Sequence, residues 1–172
     1  MKAPKVKLKN VKTFEGHDTM LGLNADVWID GVKCMHLHDS AHGGGFEYHD
    51  FAYGSKDPEK IKGLIKNLED HIKTLPETKH TFGGKTISIK PDMDGFLNDI
   101  YEEMELEKKM KRAILVGVPN DTQFTMISWG KVLLTKIPMH VLQKTVDRLK
   151  VEECVDGKVI LNTNLTALGV TI

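Results

Sequence analysis

The chain carries no net charge: 24 Lys and Arg are matched by 24 Asp and Glu across 172 residues. Without a global field of either sign, nothing draws the whole molecule toward nucleic acid or anionic lipid, so any such role must sit in a local patch. Cysteine is scarce. Cys34 and Cys154 stand far apart, a pattern that suits reduced thiols in a cytosol and excludes a disulfide scaffold. Long apolar runs are missing too: Ala113 to Val118, among the longest, falls far short of the roughly 20 residues that cross a bilayer. With no signal-peptide pattern at its start, the chain is expected to be cytoplasmic and to have no membrane partner. No internal repeat, low-complexity segment or linker divides it.

What is present suffices for a folded core. Hydrophobic residues make up 40% and charged residues 28%, a globular balance, and a chain of this length buries about two thirds of its unfolded surface. The expectation is a single α+β domain over residues 1–172. Alternating segments at 5–14, 22–29, 32–38 and 45–53 predict an N-terminal antiparallel sheet built on a hairpin at Asp30-Gly31. Asp57 is placed to cap a helix with Pro58 at its first position and Ile61, Leu64, Ile65, Leu68, Ile72 and Leu75 on one stripe, ending before Pro76. A strand at 85–90 leads to a second helix from about Asp94 to Lys111, with Phe96, Leu97, Ile100, Tyr101 and Met104 inward. Strands at 113–118 and 122–134 joined by a Pro119-Asn120-Asp121 turn, a third helix from about Pro138 to Lys150 and a strand at 158–162 complete the C-terminal third.

The chemical question lies in CMHLHDSAHGGG, residues 34–45. In a strand, side chains two apart share a face, so Cys34, His36 and His38 lie together, opposite Met35 and Leu37. A two-residue turn at Asp30-Gly31 would place the imidazoles with Leu23, Ala25 and Val27. A three-residue loop, Ile29 to Gly31, with Gly31 left-handed in a bulge, would pair Trp28 with Val32 and exchange the faces. Burying a Met or Leu is worth about 1.5–3 kcal/mol, more than a turn-type preference of ~1 kcal/mol. The second register is therefore favoured, and the histidines fall beside Asn24, Asp26 and Trp28.

So placed, His36 and His38 offer two ligands for zinc or another divalent metal, with Asp26, Asp39, His42 or His49 able to supply a third and leave a position for an activated water. Asp26 or Asn24 can instead fix an imidazole tautomer from behind. The set singled out is His36, His38, Asp26 and His42. Known zinc-hydrolase frames do not match: set on His36 and His38, the H-x-H-x-D-H pattern of metallo-β-lactamases needs Asp where Ser40 stands and His where Ala41 stands. The alternative is histidines at a strand end with no metal, and no cofactor is expected. Gly43 to Gly45 lack the helix start of a phosphate loop and read as a turn. Asp92 and Asp94 in PDMDGFL read as helix caps, and no Ser sits in a G-x-S-x-G elbow.

Two other features point to partners. Lys5, Lys7 and Lys9 alternate, either as outward charges guarding an edge strand or as contacts to phosphate in a nucleic-acid binder. Trp28 and Trp129 are candidates for a recognition surface, while Phe124 and Met126 are expected to pack on the core.

The stretch FEGHDTMLGLNADVWIDGVK, followed by Asp39, the triple glycine and FEYHDF, resembles the beginning of small accessory proteins of tailed bacteriophages. PMHVLQKTVDRLK is similar to the short C-terminal helix of such proteins. The resemblance implies an accessory product acting inside an infected bacterium, where such proteins often bind and block a host or defence-system component. A non-enzymatic inhibitor of that kind is the leading expectation, a metal-dependent hydrolase or nuclease the alternative.

Overall fold

Val6–Glu15 (β1), Leu21–Ile29 (β2), Val32–Asp39 (β3) and Glu47–Asp50 (β4) form one antiparallel sheet in chain order. The computed structural model describes residues 3–16, 21–82, 85–119, 121 and 123–172. Pro58–Ile72 (α1) follows, then the hairpin Thr78–Phe82 (β5) and Lys85–Ile89 (β6), and Met93–Met110 (α2). Ala113–Gly117 (β7), Phe124–Ser128 (β8), Met139–Glu152 (α3) and Val159–Ile160 (β9) complete an α+β architecture. The chain gathers into two compact units, Met1–Tyr101 and Glu102–Ile172. Among the described residues no helix is long and apolar enough to cross a membrane.

In the first unit, β2 buries Leu23, Ala25, Val27 and Ile29 on one face, where Ile61, Leu68 and Ile72 of α1 and Leu97 of α2 join them. Asp57 caps α1 by accepting from Lys60 N at 3.1 Å, with Pro58 at the first turn. Asp92 caps α2 through Gly95 N at 2.8 Å. Asp94 departs from the expected capping role: its carboxylate accepts from Phe46 N and the Tyr48 hydroxyl, which ties the start of β4 to α2. Burial and that carboxylate push the Tyr48 phenol well above its usual range. A Cβ at Gly45 would lie 2.5 Å from Asp94 Oδ2, so the last of the three glycines makes room for this tie.

The hairpin corrects the expected loop. Asp30 (φ 48°) and Gly31 (φ 84°) are both left-handed, the two-residue type I′ combination, and Ile29 faces Val32. The phase is reset one step later. Trp28 faces Lys33 but Val27 faces Met35, leaving Cys34 as the extra residue of a β-bulge. Met35 and Leu37 thereby reach the core, while His36 lies across from Asp26 and His38 from Asn24. Cys34, expected beside the histidines, is instead fully buried in the core cluster.

In the second unit β7 is the middle strand of three, order β8-β7-β9, and is buried at every position. Ile114 and Val116 meet Leu142, Val146 and Leu149 of α3 on one face; Ala113 and Leu115 meet Met110 on the other. Buried Asn162 joins the layers, accepting from Leu115 N at 2.7 Å and donating to the Ala113 and Met110 carbonyls at 2.9 and 3.2 Å. β8 is shorter than the expected 122–134, ending at Ser128 before Gly130, whose φ is 65°. Phe124 packs on the core as expected, but Met126 is 55% exposed. Asn120 of the expected 119–121 turn, and Thr122 at the expected strand start, lie outside the described residues.

Candidate functional site

The face of the first sheet opposite its core carries the side chains singled out from the sequence. It is built by alternation. Lys7 and Lys9 of β1 face Trp28 and Asp26 of β2, which in turn face Lys33 and His36 of β3. His49 and Glu47 of β4 lie across from His36 and His38.

Asp26 is the centre of this face. Its carboxylate accepts from Asn10 Nδ2 at 2.7 Å, Lys33 Nζ at 2.9 Å and His36 Nδ1 at 3.1 Å. Asn10 reaches it because β1 bulges between Lys9 and Lys12, with Asn10 left-handed at φ 52°, a conformation that Asn tolerates. Burial alone would raise the Asp26 pKa; the hydrogen bonds from Asn10, Lys33 and His36 outweigh it and lower the value to about 2. A carboxylate only accepts, so His36 Nδ1 carries the proton. That leaves Nε2 facing outward from a side chain 38% exposed.

His38 and His42 are engaged elsewhere. His38 Nδ1 is 2.8 Å from Asn24 Oδ1, and the His38 ring stacks on Phe14 with centroids 6.0 Å apart. His42 Nδ1 is 2.7 Å from the Ser40 carbonyl in the following loop, and Asp39 accepts from Ala41 N. The structure thus brings together Asp26 and His36 of the expected set and leaves His38 and His42 with other partners. Among the described residues no group of three His, Cys, Asp or Glu side chains forms a metal-holding set.

At the β1 end of the same face a groove of about 570 Å3 is bordered by Lys5, Lys7, Lys9, Trp28 and Asp30. All three lysines are exposed, and β1 is the sheet edge. The Lys9 ammonium lies 3.6 Å from the Trp28 ring centre. Beneath it Trp28 Nε1 is buried without a hydrogen-bond partner. Trp129 lies in the second unit, half-buried against the α3 core.

Sequence reasoning missed Asn10, Phe14 and Lys33 on this face. For Lys33 the signal was present, since a two-residue turn puts it opposite Trp28; for Asn10 and Phe14 no spacing rule would have selected them. The arrangement supplies cations and an aromatic surface on one sheet face, and one Asp-His pair. The chain matches no protein-family model, no curated protein and no solved structure.

Proposed function

We propose that the protein is a non-enzymatic binding protein that engages an acidic protein partner through the open face of its N-terminal sheet. The carrying observation is the groove that Trp28 shares with Lys5, Lys7 and Lys9 of β1, the Lys9 ammonium lying over its ring. Tryptophan is among the residue types enriched at interface centres, and the neighbouring cations favour an acidic counterpart. Inhibition of a host protein or defence-system component in the cytoplasm of an infected bacterium is what the resemblance of the N-terminal third to phage accessory proteins implies.

The test is capture from nuclease-treated bacterial lysate on immobilised wild-type protein, on Lys7→Glu/Lys9→Glu, on Trp28→Ala and on a control, Lys66→Glu, at an exposed site of α1. A protein retained by wild type and control, released by both face variants and weakened by salt, is the expected result. Equal retention on all four, or on none, overturns the reading. Retention of an oligonucleotide with a steep salt slope replaces the protein partner with nucleic acid.

The Asp26–His36 contact favours a second reading, a metal-dependent hydrolase or nuclease in which His36 Nε2 is a ligand and Asp26 fixes its tautomer. Zinc titration by calorimetry separates the two: stoichiometric binding lost in His36→Ala supports the hydrolase, and heats unchanged by that substitution remove it.

A further inference from the structure

The two larger sheets end in edge strands that differ in one respect. β1 carries Lys7, Lys9 and Lys12 and is broken by the Asn10 bulge, devices by which an edge resists pairing with another chain. β8 has neither: FTMIS holds no charge and no proline, and its register with β7 runs without a shift. No strand among the described residues pairs with its outer side. Thr125, Met126 and Ser128 are exposed along it.

The flanks of this edge say what it takes. On the side of Met126 and Ser128 a groove of about 450 Å3 is bordered by Lys108, Lys109, Lys111 and Arg112, at and just beyond the end of α2. On the side of Ile127 and Trp129 a second groove, about 410 Å3, is bordered by Lys144 and Arg148 of α3. Lys108 is paired with Glu105 and Arg148 with Glu152, while Lys109 lies over the Phe124 ring. Lys111, Arg112 and Lys144 have no carboxylate partner among the described residues. A strand added beside β8 sends successive side chains alternately to the two faces, one groove each. Both grooves are cationic, so both suit acids. Pairing β8 with its own copy would bring like charges together, which selects against a second copy.

We infer that the outer edge of β8 is a pairing site for an extended acidic segment of a partner protein, added as a further strand with its carboxylates directed alternately to the α2 and α3 cations. This surface belongs to the Glu102–Ile172 unit and stands or falls independently of the Trp28 groove.

The probe is a short acetylated and amidated peptide with two glutamates directed to each face of the strand, titrated by calorimetry against the full chain. Binding is expected to weaken roughly tenfold or more in Met126→Pro, which removes an outward-facing edge N–H since Leu115 opposite it bonds to Asn162 and Leu161 instead, and likewise in Lys111→Glu/Arg112→Glu and in Lys144→Glu. Far-UV circular dichroism of each variant checks that the fold is retained. A peptide N-methylated on alternate residues, which cannot complete the ladder, is expected not to bind. Equal binding of the methylated peptide overturns strand addition, and sensitivity to only one of the two cation groups overturns the two-faced arrangement. Light scattering that reveals a dimer abolished by Met126→Pro would assign the edge to a second copy instead. Oligo(dT) displacing the peptide with the same variant pattern would assign it to nucleic acid.

Discussion

Asn10 and Asp26 meet across neighbouring strands, amide nitrogen to carboxylate oxygen at 2.7 Å, because a left-handed residue in a bulge turns the amide inward. With Lys33 and His36 on the same carboxylate, the contact makes Asp26 an anion the fold has committed to. A carboxyl whose folded pKa lies below its unfolded value adds stability above the unfolded value and loses it as pH falls toward the folded one. From the ordinary 3.8 to about 2, the linked stability is about 2 kcal/mol, present at neutral pH and lost between roughly pH 5 and pH 2. Urea unfolding across that window should show this slope in the wild type and a flatter one in Asp26→Asn; parallel profiles would refute it.

Cys34 should be inert in the folded protein. Burial pushes its thiol pKa up, and the bulge points it into the core rather than toward the histidines. Alkylation of native Cys154→Ser protein should therefore proceed only as fast as the sheet opens, and rise sharply in denaturant. Rapid native labelling would restore the polar-face placement.

Gly22 should not accept a side chain. A Cβ there would come 2.3 Å from Phe14 Cζ and 2.8 Å from the Asp39 carbonyl oxygen. The ring can shift but the backbone cannot, so Gly22→Ala should cost about 1–3 kcal/mol. In a double-mutant cycle Phe14→Ala should recover part of this loss and not all of it. Full recovery would mean that the Asp39 clash is not felt.

Asn162→Ala should be among the most damaging single changes in the second unit. It leaves the Leu115 N–H and the Ala113 carbonyl without their side-chain partner inside the protein, an expected cost of about 2–3 kcal/mol. Equilibrium unfolding of the variant measures it, and a change below about 1 kcal/mol would show that water replaces the amide.

Much of this fold is legible as period and punctuation. The stripe of α1 between Asp57 and Pro76, the alternation of β2 and the Asp30-Gly31 turn all appear where their chemistry puts them. Parity was also legible: Met35 and Leu37 had to be buried, so one extra residue had to enter the hairpin. Its position was not. A three-residue loop and a two-residue turn with a later bulge have the same parity, and nothing in GVKCM ranks a bulge at Cys34 below one at Gly31. TKHTF of β5 has too little apolar alternation to announce a strand, although Gly83-Gly84 before KTISI is itself a hairpin signal. The alternation of TQFTMISWGKVLL runs on past Ser128, where β8 ends, and past Gly130, whose φ is 65°.

The candidate face was readable in its strands and unreadable in its bulge. Lys5, Lys7, Lys9 and Trp28 share a side by simple alternation. The partners of Asp26 depend on Asn10 taking a left-handed conformation, which is a property of one backbone angle. His38 and His42 are drawn away from Asp26 by an amide and a loop carbonyl, contacts that require coordinates.

The bond from Asn162 to Leu115 spans 47 residues. At a synthesis rate of about 5–20 residues per second, a ribosome delivers the asparagine about 2–9 seconds after the leucine. Until then the Leu115 N–H and the Ala113 carbonyl lack the side chain that satisfies them, and Leu165 and Val170, in the same core as Ile114 and Val116, come later still. The β7 core therefore closes only after Val170 has been made, so slower translation between those two codons would delay its closure without changing its final contacts.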